Sequence, residues 1–165
     1  QTKQYLERVR DVFLFCCFSG LRYSDVYNLK RSDIKPDHIE VTTVKTADSL
    51  IIELNNHSKA ILEKYKSVHF EDHKALPVIS NQKMNDYLKE IATVCGINKK
   101  ITYHVARHSF ATLSISYGVP IESVSKMLGH TNIRTTQIYA KIIDTKLSAD
   151  MDMFAQRLNE RKTSV

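Results

Sequence analysis

Apolar residues at Tyr5, Val9, Val12/Phe13 and Cys16 recur at the period of one helix face, which predicts a first helix from about residue 2 to 18. Ser19-Gly20 interrupts it. Ser24 then offers a side-chain cap for a short helix from Asp25 to Leu29, with the Asp25 carboxylate favourably placed in its first turn. From Ser32 the pattern changes. Ile39, Val41 and Thr43 alternate with more polar neighbours, Leu50 to Leu54 is rich in Ile and Leu, and Lys45-Thr-Ala-Asp-Ser lies between. This predicts an antiparallel hairpin over about 38–54, entered through the turn Lys35-Pro36-Asp37.

Helical spacing then returns. Ser58 is the expected cap of a helix reaching about Lys66, with Ile61, Leu62 and Tyr65 on one side. Residues 67–80 show no period, although Leu76 to Ile79 suits a short edge strand. Asn81 is expected to cap a helix that gathers Met84, Tyr87, Leu88, Ile91 and Val94 on one face and closes at Gly96. Thr102 caps the next, with Ala106, Phe110, Leu113 and Tyr117 as its apolar stripe and Gly118 as its stop. A further helix runs from Pro120 to Gly129, and another opens at Thr131 and carries Tyr139. Leu147, Met151, Phe154 and Leu158 mark a final amphipathic helix, docked either on its own core or on a neighbouring copy. Many helices with one small antiparallel sheet make a mostly helical α+β domain.

Bulk properties narrow the picture only slightly. A length of 165 residues suits one domain, and 42% apolar content is enough to fill a core. No apolar run approaches the ~20 residues that cross a bilayer, and no membrane association is expected. The chain opens Gln-Thr-Lys-Gln and not with Met, so it is expected to be cut from something longer. Cys16, Cys17 and Cys95 form no disulfide framework and no Cys-x-x-Cys pair, which points to a reducing cytoplasm. A net charge of +6 favours a polyanionic partner without identifying one.

The chemistry sits in a few polar residues. His104 and Arg107 are three apart on a shared helix face, expected to turn mostly away from the Ala106-Phe110-Leu113 stripe. Both fall in the first turns of their helix, where free N–H groups favour an anion, although a solvated helix end reads the same way. His104 and His108 have the spacing of a zinc pair. A catalytic zinc usually has a third protein ligand, the intervening Arg107 opposes a cation, and no carboxylate lies nearby, so no metal is expected. Arg22 follows Gly20-Leu21 and shortly precedes a helix start; its planar fork suits two phosphate oxygens, though alone it is a loop arginine. Lys45 sits near a hairpin tip, as lysines commonly do, and becomes a candidate proton donor only beside the others. His130 alone suits a helix C-cap, and Tyr139 alone suits a packing residue. Two arginines, several histidines, a lysine and a tyrosine, without an acidic cluster, suit metal-free chemistry on a phosphodiester.

Taken in order, Ser19-Gly-Leu-Arg-Tyr-Ser-Asp-Val26, His104-Val-Ala-Arg-His-Ser-Phe-Ala-Thr112 and Leu128-Gly-His-Thr-Asn-Ile-Arg-Thr-Thr-Gln-Ile-Tyr-Ala140 resemble the catalytic domain of the tyrosine recombinases, the phage-type integrases. The resemblance spans essentially the whole chain. It implies that family's catalytic-domain fold, with strand exchange on double-stranded DNA through a 3′-phosphotyrosyl link and no cofactor. Arg22 and Arg107 would clamp the scissile phosphate. His104 would hydrogen-bond it or assist proton transfer from the tyrosine, and His130 would supply another donor. Lys45 would protonate the departing 5′ oxygen, and Tyr139 would attack phosphorus. Asp25 would buttress Arg22, with His108 in support. Such enzymes usually carry an N-terminal helical domain that closes over DNA, which nothing here matches. Residues 1–165 are thus expected to form a single catalytic domain, a fragment that is monomeric when free and tetrameric on DNA. The expected setting is bacterial or phage-derived, in the cytoplasm at the nucleoid, on an integrating or mobile element.

Two alternatives share these residues. A type IB topoisomerase uses a similar set, but Gly20-Leu21-Arg22 and Leu128-Gly129-His130 favour the recombinases. A DNA-binding domain that has lost the reaction is opposed by the presence of every expected catalytic residue.

Overall fold

The computed structural model describes residues 2–140 and 150–157. Helix α1, Thr2–Ser19, buries Val9, Val12, Phe15 and Cys16 on the face its periodicity predicts, whereas Tyr5 lies exposed and stacks on Tyr87. The helix stops at Gly20, whose φ of 71° is unfavourable for residues with a Cβ. A Cβ there would also lie 2.6 Å from the Phe110 ring, so the corner requires glycine twice over.

Helix α2, Tyr23–Asn28, starts two residues before the predicted one. Arg22 occupies the capping position, without a side-chain cap bond, and Ser24 lies inside the helix. The hairpin forms as its alternation predicts: β1, His38–Thr42, pairs antiparallel with β2, Ser49–Glu53, setting His38 opposite Glu53 and Thr42 opposite Ser49. Ile39, Val41 and Ile52 face the core.

Helix α3, Asn56–Tyr65, is capped by Asn55 and not Ser58: the Asn55 side chain accepts the Ser58 N–H at 3.0 Å, which places Ser58 in the buried first turn. No strand forms over Leu76 to Ile79. Leu76 and Val78 are buried there, and Ala75 N–H donates to Leu29 carbonyl at 2.9 Å. Helix α4, Asn81–Val94, has Ser80 at its cap position and not Asn81, and leaves Val94 exposed at its last residue, beyond the packed face of Met84 and Leu88.

Helix α5, Tyr103–Ser116, begins at Thr102 as predicted, with Thr102 Oγ1 accepting the Val105 N–H. Its predicted stripe is rotated. Leu113 is exposed and Tyr117 is 85% exposed, while Tyr103, Ala106, Arg107, Ala111 and Ile115 are buried. The reason is that α5 packs against α1 on one side and, on the other, against α6, Ile121–Met127, and α7, Arg134–Ala140. Helix α7 starts three residues after the predicted Thr131, because Asn132 Oδ1 accepts the Arg134 N–H at 2.9 Å and holds the entry in a turn.

A larger core joins α1, α4 and the hairpin through residues such as Phe15, Ile39, Met84 and Leu88, each stabilising the fold by roughly 1.5–3 kcal/mol on burial. A second cluster of Ala111, Ile115, Val124, Leu128 and Tyr139 lies beneath α5, α6 and α7. Residues 150–157 are helical, with Met151 and Phe154 exposed; Leu147 and Leu158 of the predicted final helix lie outside the described residues. Among the described residues no helix is long and apolar enough to cross a membrane.

Candidate functional site

Two of the sequence's loop corners converge on one guanidinium. Arg107, on the second turn of α5, is only 7% exposed and so does not turn away from the packed face as its spacing suggests. It donates from one terminal nitrogen to the Gly20 carbonyl at 2.6 Å and from the other to the Leu128 carbonyl at 2.5 Å. Those carbonyls end α1 and α6, so the arginine ties three helices together. Three of its five N–H bonds remain for another partner. Burial, and after it the charge of Arg22, pull its pKa down to about 10, still well charged at neutral pH.

Arg22, Arg107 and His104 line a single cavity of about 330 Å³, together with Tyr23, Ser24, Asn81, Asn85, Thr102 and Tyr103. First-turn residues of both α4 and α5 border it, adding the positive ends of two long helices. Asp25 is the acidic counterweight. Its Oδ2 lies 3.9 Å from Arg22, and its Oδ1 accepts the Val44 N–H at 2.9 Å. That second bond roots the exposed turn carrying Lys45, which does not itself line the cavity. Two guanidinium groups against one carboxylate leave a net positive cavity, suited to an anion.

His130 sits where Gly129, at φ of 63°, reverses the chain after α6, and its N–H donates to the Ser125 carbonyl at 3.0 Å. Its ring is fixed by Nδ1, 2.8 Å from the Thr136 hydroxyl. Burial, then Arg107 and Arg22, hold this imidazole at about 4, below its ordinary 6.5, so it is neutral near pH 7. Its Nε2 takes no hydrogen bond among the described residues.

Tyr139 does not line the cavity. The residue is 6% exposed and its ring packs in the second core cluster. Its hydroxyl nonetheless reaches α5, with Oη 2.5 Å from His108 Nδ1, and His108 Nε2 lies 2.6 Å from His104 Nε2. Burial raises the phenol's pKa while the charge of Arg107 lowers it. Among the described residues no His, Cys, Asp or Glu completes a three-ligand group with the two histidines.

The structure therefore brings Arg22, His104 and Arg107 to one cavity, with Asp25 against Arg22 and His130 near enough to feel the charge of both arginines. It joins Tyr139 to that cavity through His108 and leaves Lys45 on the neighbouring turn. Sequence reasoning missed Asn81 and Asn85 in the cavity wall and Thr136 as the anchor of His130. Thr136 was within reach of inspection, since it lies three residues before Tyr139 on the same helix. The asparagines carried no comparable signal.

Residues 2–146 match the phage integrase family. The tyrosine recombinase XerA of Thermococcus onnurineus (strain NA1) is 32% identical over 147 residues, which are 82% of this chain and 51% of the relative. The tyrosine recombinase XerD of Listeria monocytogenes (serotype 4b, strain F2365) is 32% identical over 159 residues, 84% of this chain and 52% of the relative. Among solved structures, XerA recombinase superposes with a TM-score of 0.72 at 25% identity, over 94% of this chain and 61% of the other. A lambda integrase (75–356) dimer bound to a COC′ core site gives a TM-score of 0.68 at 20% identity, over 79% of this chain and 51% of the other. The chain spans about half the length of the curated relatives it matches.

Proposed function

The chain belongs to the phage integrase family and has the fold of its tyrosine recombinases, and from this premise we propose that it is the catalytic domain of a site-specific DNA recombinase working through a 3′-phosphotyrosyl intermediate. The observation that carries the reading is the meeting of Arg22 and Arg107, 85 residues apart, in one net positive cavity with His104, to which the Tyr139 phenol is linked through His108.

Each role follows from placement. Arg22 and the free edge of Arg107 take the two non-bridging oxygens of the scissile phosphate, and His104 and His130 add donors. Preorganised donors of this kind stabilise the charge of the pentacoordinate transition state, and losing one costs on the order of 100-fold or more in rate. Tyr139 is the nucleophile, and it must turn from its packed position to reach phosphorus. Lys45, on the turn rooted by Asp25, delivers a proton to the departing 5′ oxygen. Asp25 holds Arg22 in position and does not touch DNA. The partner is double-stranded DNA, bound by a homotetramer during synapsis and by a monomer beforehand.

A pool of randomised duplexes, each with a central nick that lets the cleaved strand diffuse away, tests this whatever the target sequence. Wild-type chain should accumulate an SDS-stable protein–DNA adduct that Tyr139→Phe does not form, with or without EDTA. An adduct from Tyr139→Phe, or one abolished by EDTA, contradicts the reading.

A further inference from the structure

His108 hydrogen-bonds both Tyr139 and His104, which lines the cavity. Each of its two contacts, 2.5 Å to Tyr139 Oη and 2.6 Å to His104 Nε2, requires one hydrogen between two heavy atoms. The charged and titratable groups facing it are His104 and Arg107 from α5 and Tyr139 from α7, with Arg22 and Asp25 behind Arg107. Burial, His104 and Arg107 all oppose a charge on its ring. A neutral imidazole has a single N–H and hence two arrangements. If Nδ1 carries it, Tyr139 accepts, and the hydrogen of a phenol that is 6% exposed is left without a partner, since His108 is its only one among the described residues. If Nε2 carries it, the phenol donates to Nδ1 and Nε2 donates to His104, so the phenol's hydrogen and that of His108 are both placed.

We propose that His108 is the proton acceptor for Tyr139 and, with His104, forms a two-imidazole relay that carries the phenolic proton to the cavity. This rests on the strand-transfer reading above. As Oη bonds to phosphorus its O–H bond breaks, the proton passing to His108 Nδ1 while the proton on His108 Nε2 passes to His104 Nε2. The bond from phosphorus to the 5′ oxygen breaks with its electron pair on oxygen, which takes a proton from Lys45. Protons and electrons balance with no further reagent. The positive charge gained ends on His104, which is exposed and lines the cavity that holds the phosphate, where an anion stabilises it. The His108 contact also holds Oη against the helix that carries Arg107.

Two measurements test the relay. In ¹⁵N spectra of the free chain, His108 should show an unprotonated Nδ1 and a protonated Nε2; the opposite tautomer overturns the proposal. With the nicked duplex pool, His108→Gln, which hydrogen-bonds but holds no proton, should form adduct about 100-fold more slowly near neutral pH. Its rate should climb towards wild type as hydroxide rises, with DNA binding unchanged. Added imidazole should restore His108→Ala; if that variant does not fold, the Gln variant decides. A wild-type rate and pH profile for His108→Gln overturns the relay and leaves the strand-transfer reading standing. Wild-type chain that forms no adduct removes both.

Discussion

A guanidinium stripped of most of its water must find acceptors, and Arg107 finds the Gly20 and Leu128 carbonyls. Its remaining N–H groups and Arg22 then weigh on every neighbour that could gain charge. For His130 burial comes first and the two arginines add to it: its unfolded ring takes a proton near 6.5, while the folded ring resists until about 4. The unfolded state therefore binds more protons across that window. The stability this group contributes is fully present above about 6.5 and drains as pH falls towards about 4. Thermal melts should show His130→Gln losing less stability than wild type on acidification through this range. Inorganic vanadate in the cavity should raise the His130 midpoint followed by NMR, because an anion offsets both arginines. The candidates that meet at the cavity, Arg22, His104 and Arg107, were legible in the sequence, since only a few side-chain types suit a phosphodiester. Their pairings were not: the contact of Tyr139 with His108 and that of His130 with Thr136 depend on how α5, α6 and α7 pack.

At the level of elements, Asp25 couples two parts of the site that the sequence keeps apart. One oxygen faces Arg22 and the other holds the first residue of the turn that carries Lys45. Asp25→Ala should speed hydrogen exchange at the Val44 amide and lower stability in urea by roughly 1–3 kcal/mol. Asp25→Asn should keep Val44 protected through its remaining oxygen. Unchanged exchange at Val44 in the Ala variant contradicts the coupling. The periods of two and of three to four placed the hairpin and most helices well, because burial on one face enforces them. Caps slipped at α2, α3 and α4, since the cap belongs to whichever side chain or corner closes the first turn: Asn55 reaches the Ser58 N–H and takes that role. The stripe of α5 was misread because the helix is covered on two sides, which a one-sided pattern does not express.

Across the whole molecule, the site lies at the seam between two core clusters, and Arg107 spans the seam. The fold thereby brings together groups from α1, α5 and α6 that are remote in the chain, while Tyr139 lies in the second cluster, joined to His104 through His108. A net charge of +6 suits a surface that meets a polyanion along its backbone. The meeting of both guanidinium groups and one phenol at a single phosphorus is tested most directly by finding which residue carries the nucleotide. The adduct trapped on nicked duplex is digested with nuclease and protease, and the modified peptide is sequenced by mass spectrometry. The expected peptide bears its 3′-nucleotide on Tyr139, and its yield falls at least about 100-fold with Arg22→Ala or Arg107→Ala. A nucleotide on any other residue, or an undiminished yield without the arginines, contradicts the convergence.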